Sequence, residues 1–142
     1  MELSMAVCKR RLAVVWFVFS AIIVSLLVVQ TLGGHYGEYI ENVWSWFIPL
    51  ILPTLMLMIG TFTVDVSKDE NVNVSKFYYK LSLYLSYFYL ALLLLTILVQ
   101  PFLNAPPKDV LQMSNFWLGP VQGLVAAALG MFFLKRGEGQ KK

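Results

Sequence analysis

Four long, mostly apolar runs of the chain carry almost no charged side chain, and short polar stretches separate them. The runs are Leu12–Leu32, Val43–Val64, Phe77–Gln100 and Phe116–Leu134. Lys80 apart, every charged residue lies outside them. Lys80 sits one turn inside the third, where a long stem carries its ammonium to the headgroups. A helix crosses the hydrocarbon core in roughly 20 residues. Backbone polar groups in lipid have to be satisfied within the segment, so the pattern predicts four spanning helices. The expected fold is an all-α integral membrane protein: a basic segment at 1–11, a four-span bundle at 12–134 and a basic tail at 135–142.

Composition agrees with that pattern. Of 142 residues, 58% are hydrophobic and 13% charged, whereas a soluble domain carries about 25% charged residues. The first run follows Lys9, Arg10 and Arg11 as a signal sequence would. Its apolar length exceeds the roughly 7–15 residues of a signal, and no small-x-small site follows, so it reads as a retained span. The loops are too short for a separate domain.

The charge pattern sets an expected orientation. Lys9, Arg10 and Arg11 precede the first span, Lys68, Lys76 and Lys80 flank the second loop, and Lys135, Arg136, Lys141 and Lys142 form the tail. Only Lys108 falls on the other side of an alternating topology. The positive-inside rule then places both termini in the cytoplasm. The short loops suit a cell (inner) membrane. Trp44, Trp46 and Trp117 at one boundary, with Phe77, Tyr78 and Tyr79 at the other, match interfacial aromatic belts.

Sliding the chain on itself by about 70 residues brings one hairpin onto the other. Gln30 meets Gln100, and after a one-residue gap Trp46 and Pro49 meet Trp117 and Pro120; without the gap, Gly60 meets Gly130. The expectation is two tandem hairpin repeats, related by a pseudo-two-fold axis along the membrane normal.

The fourth span is rich in small residues. Gly119, Gly123 and Ala127 are four apart, as are Ala126 and Gly130, giving one helix-packing face. In lipid, helices associate by close packing, which small residues permit. Whether this face packs within the chain or against another copy is left open by its spacing. In the second span Pro49 and Pro53 predict a kink, because each removes a helix hydrogen bond and frees the carbonyl four residues earlier. Ser45 and Thr54 are local replacement donors. Gln30, Gln100 and Asn115 near the outer level, with Gln122 about two turns in, form a candidate polar vestibule, or else interhelical hydrogen bonds. Ser82, Ser86, Tyr84, Tyr87 and Tyr89 line the third span as a helix contact or a pore lining.

The spans hold no acid, and coupled transport normally needs an ionisable group there. With one cysteine and one histidine, no ordinary structural zinc site forms in one chain. Cys8 beside the basic cluster reads as an inert thiol, acylation being the weaker alternative. His35, Glu38 and Glu41 have ligand-like spacing, but a solvated acidic loop accounts for them more simply. No nucleotide-binding glycine pattern occurs, and no cofactor or nucleic-acid partner is expected. The lipid bilayer is the first partner, its anionic headgroups drawn to the basic edge.

The expected function is therefore non-enzymatic: a membrane component acting by helix–helix assembly, as a homo-oligomer or with a partner membrane or cytoplasmic protein. The alternatives are an oligomeric channel or permeabilising pore of holin or effector type, and an uncoupled carrier for a small solute.

Overall fold

The computed structural model describes residues 3–64 and 73–134. Four helices dominate it: α1 (Met5–Leu32), α2 (Ile40–Val64), α3 (Lys76–Val99) and α4 (Pro107–Leu134). All four are long and apolar enough to cross a membrane. Short 3₁₀ turns at Gly37–Tyr39 and Gln100–Phe102 introduce α2 and follow α3.

All four helices begin before their apolar runs, α2 and α3 by only three residues and one. α1 starts seven residues before Leu12 and α4 nine before Phe116. Charge marks where hydrocarbon ends, but it does not stop a helix. Lys9 to Arg11 and Lys108–Asp109 are good or tolerable helix residues, and they extend the two helices beyond the apolar stretch. α4 opens with Pro107 at its first position, where a missing N–H costs nothing, and Asp109 in its first turn suits the positive end of the helix. The α1–α2 turn uses Gly34 and Gly37 at φ +74° and +50°, which a side chain would strain.

One element has no signature in the apolar pattern. Leu3–Ser4 (β1) pairs antiparallel with Asn73–Val74 (β2), with Leu3 opposite Val74 and Ser4 opposite Asn73. The pair ties the start of α1 to the start of α3 through backbone hydrogen bonds.

Side-chain contacts give the helix directions. Trp16 meets Ser86 and Phe19 meets Tyr87, so α1 and α3 run parallel. Trp46 meets Asn115 near the starts of α2 and α4, and Phe62 meets Phe133 near their ends, so these two are also parallel. Trp44 with Thr31, and Tyr79 with Phe132, make each hairpin antiparallel. Around the bundle the order is α1, α2, α4, α3. This order corrects the expected pseudo-two-fold axis. Such an axis would place equivalent helices across the bundle from one another, but α1 packs beside α3 and α2 beside α4.

Each helix turns a stripe inward at three- and four-residue spacing. On α1 the stripe is Cys8, Leu12, Trp16, Ser20, Ile23 and Leu27; on α3 it includes Ser82, Ser86, Tyr89, Leu93 and Thr96. Leu118, Val125, Leu129 and Phe132 supply it on α4. The outward faces are equally apolar, with Val14, Val18, Ile22, Leu52, Met56, Phe88 and Leu124 all exposed. A water-soluble bundle would turn a polar face to solvent.

Candidate functional site

A few polar groups in the bundle bond one helix to another, while Ser20 Oγ, also buried, has no hydrogen-bond partner among the described residues. The Trp16 indole N–H donates to Ser86 Oγ across the α1–α3 contact at 3.0 Å. The Trp16 ring stacks on Tyr89, centroids 5.9 Å apart. Tyr89 in turn donates its hydroxyl to the Leu50 carbonyl of α2 at 3.0 Å. From α4, the Gln122 amide reaches the carbonyls of Pro49 and Leu50 at 3.3 and 3.5 Å. These bonds join all four helices at mid-depth.

The Gln122 bond has a specific cause. In a regular helix the Pro49 carbonyl would accept the N–H of residue 53, but residue 53 is proline. A carbonyl orphaned on an apolar helix surface in lipid needs another donor, and Gln122 brings one from the neighbouring helix. The local hydroxyls do not: Ser45 Oγ bonds Asn42 O at 3.1 Å instead. With this replacement α2 continues unbroken through both prolines from Ile40 to Val64.

Among the described residues no hydrogen bond joins the four residues of the candidate vestibule to one another. Gln30 Oε1 accepts from the Tyr36 hydroxyl in the turn after α1. Asn115 Oδ1 accepts from the Trp46 indole at 3.1 Å. Gln122 faces Pro49. Gln100 is buried just after α3, its Oε1 without a hydrogen-bond partner among the described residues. Two of the four are thus interhelical hydrogen bonds, and one fixes a turn.

The third-span face is split in the same way. Ser82, Ser86 and Tyr89 point into the core, and Tyr84 and Tyr87 point outward. Trp16 and its bond to Ser86 were the functional-looking contact that pattern reading missed. The signal was available: a tryptophan deep in an apolar run, away from an interface, has an N–H that needs a partner.

Small residues of α4 lie on its outer side. Gly119, Gly123, Ala126 and Ala127 are exposed and Gly130 is half-buried. A Cβ built at Gly119, Gly123 or Gly130 would meet nothing within 4 Å, so none of these glycines is there to admit another helix of the same chain. Within the chain, α4 packs instead through Leu118, Val125, Leu129, Phe132 and Phe133.

At the end of the bundle where α1 and α3 begin, Arg10, Arg11, Lys76 and Lys80 are exposed. Lys9 is buried, its ammonium 6.0 Å from the Phe133 ring centroid. Lys68, Asp65 and the tail cations fall outside the described residues. Cys8 is 1% exposed and belongs to the core cluster, which removes it as an acylation site in the folded chain. At the opposite end, His35, Glu38 and Glu41 are exposed around the 3₁₀ turn. Among the described residues no three His, Cys, Asp or Glu side chains gather as a metal cluster would require. In the same turn burial raises the Tyr36 hydroxyl pKa from 10.0 to about 12.

No family profile matches the chain, and no curated protein or solved structure matches it. What the architecture defines is a class: an all-helical protein with four helices long and apolar enough to span a membrane.

Proposed function

We propose that the chain is an integral protein of the cell (inner) membrane, with both termini in the cytoplasm, that acts by helix–helix assembly. It does so with further copies of itself or as the membrane subunit of a complex. The observation that carries this reading is the outward small-residue face of α4. Within lipid a flat glycine–alanine stripe lets a second backbone approach closely, and the chain's own helices leave this one uncovered. The orientation rests on Arg10, Arg11, Lys76 and Lys80 at one end of the bundle and Lys108 at the other.

The tandem hairpins are part of the same reading. Trp16 and Ser86, which are equivalent under the 70-residue shift, sit at the same depth in parallel helices. A duplicated hairpin laid side by side, rather than rotated by a two-fold, accounts for this. Against a pore through one copy stands the full burial of Leu12, Trp16, Tyr89, Leu93 and Leu118 between the helices. The channel alternative therefore needs a lumen between copies.

The test is gentle extraction from native membranes, followed by native mass measurement and identification of every co-purifying chain. We expect the wild type in an assembly. Gly123→Leu should weaken it roughly tenfold in dissociation constant, about 1.4 kcal/mol, and Gly123→Ala much less. A wild type that runs as one chain alone, or a Gly123→Leu assembly of unchanged mass and stability, overturns the proposal.

A further inference from the structure

On its outer side, the contact between α1 and α3 opens into a groove of about 520 Å³. Val7, Arg10, Arg11, Val14 and Val15 form the α1 wall, and Tyr79, Leu83 and Tyr87 the α3 wall. The spacing explains the shape. Residues 7, 10, 11, 14 and 15 make one stripe of α1, and 79, 83 and 87 one stripe of α3. The groove runs about 12 Å along α1 at 1.5 Å per residue. Beyond it Phe19 and Tyr87 close edge to face, centroids 5.8 Å apart.

The groove has two chemistries. Its inner end presents two adjacent guanidinium groups, and the rest is aliphatic and aromatic. Every carboxylate among the described residues (Glu38, Glu41 and Asp109) lies at the other end of the bundle. A guanidinium is a planar fork of donors that can hold two oxygens of one phosphate at once, which an ammonium, a point charge, does not. A basic pocket between helices on the cytoplasmic side is where phospholipid headgroups bind. The volume falls within the roughly 300–1,000 Å³ typical of ligand sites.

The geometry points to a site for one anionic glycerophospholipid. Its phosphate is held between Arg10 and Arg11, and one acyl chain lies along Val14, Val15, Leu83 and Tyr87. The inference rests on the membrane-inserted reading above, and goes beyond it by distinguishing a bound lipid from bulk attraction to a basic edge. The headgroup charge supplies the selectivity and the apolar walls fix where the chain lies.

The experiment uses the full chain, reconstituted first in dioleoyl phosphatidylcholine nanodiscs. It is then exchanged into mild detergent with dioleoyl phosphatidylglycerol or phosphatidylcholine, and retained lipids are counted by native mass spectrometry. The wild type should retain one phosphatidylglycerol at least tenfold more tightly than phosphatidylcholine. Arg10→Gln with Arg11→Gln should abolish that preference, whereas Lys76→Gln with Lys80→Gln, an equal charge loss at the same end, should preserve it. Val14→Trp, which fills the apolar half and leaves the charge alone, should also weaken retention. Circular dichroism of each variant checks that the helices persist. Equal losses in the two charge pairs would mean diffuse attraction and overturn the site. So would displacement by inorganic phosphate at concentrations matching the lipid, which would leave a phosphate site with no role for the chain. Failure to enter nanodiscs at all would overturn the membrane reading together with the site; entry without selectivity would overturn the site alone.

Discussion

The bond from Gln122 to the Pro49 carbonyl can be tested against its stated cause. Replacing Gln122 with leucine keeps the approximate bulk and removes the donor. An interhelical hydrogen bond in a membrane protein averages about 0.6 kcal/mol and reaches about 1.7. Gln122→Leu also strands the Pro49 carbonyl, which in lipid finds no water in exchange, and that raises the expected loss to about 1.5 kcal/mol, inside the roughly 1–3 kcal/mol range for unpaired groups shut off from water. Pro53→Ala changes the outcome. Alanine at 53 restores the N–H that a regular helix would offer to Pro49, so the carbonyl no longer depends on α4. In that background Gln122→Leu should cost under about 0.5 kcal/mol, giving a coupling energy of about 1 kcal/mol between positions 53 and 122. Reversible unfolding in mixed micelles, followed by circular dichroism across the four proteins of the cycle, measures it. A coupling within about 0.3 kcal/mol of zero, the scatter expected of independent sites, would refute the orphaned-carbonyl account.

Two other groups give direct readouts. The Tyr36 hydroxyl is raised from 10.0 to about 12 by burial, so the folded state favours its protonated form. Its contribution is present in full below pH 10.0 and is lost as pH rises through about 12. In a spectrophotometric titration, wild type minus Tyr36→Phe should show a tyrosinate appearing near the upper value; one appearing near the ordinary value would contradict the burial. Cys8, 1% exposed, should react with a maleimide only through local opening. Labelling in mild detergent should therefore be on the order of 100-fold slower than in the denatured chain, and equal rates would place the thiol at the surface.

The parts of this architecture legible in the sequence are those set by a one-dimensional signal. Charge exclusion marks the four helices, and it finds the ends at Leu32 and Val64 because a polar turn or charge follows there at once. It misplaces the starts of α1 and α4, where the helix continues through charged residues beyond the apolar run. Partnerships are less legible. Proline chemistry identifies the Pro49 carbonyl as orphaned, but the donor lies 73 residues away on α4, and no local pattern names it. Gln30 and Asn115 share an approximate depth in the sequence, yet they face different neighbours, because depth fixes height along a helix and leaves rotation about it undetermined. The same ambiguity governs the glycine stripe. Small-xxx-small spacing defines a face, and only the packing of Leu118, Val125 and Leu129 into the core fixes that face as the outward one.

The two proposed contacts occupy different parts of the bundle, and this makes them separable. Gly123 adjoins Gln122, whose bond to Pro49 ties it to the half of the bundle where α2 begins. The groove lies in the other half, between helices that begin at Met5 and Lys76, with α1 diagonal to α4 in the helix order. A partner seated on the α4 stripe therefore leaves Arg10 and Arg11 uncovered. Gly123→Leu should leave phosphatidylglycerol retention intact, and Arg10→Gln with Arg11→Gln should leave the mass of the assembly intact. If either substitution moved both readouts, one contact would have to include the other. The lipid would then be a wedge within the assembly rather than a ligand of the single chain, and the partner helix would have to reach round α3 to the groove.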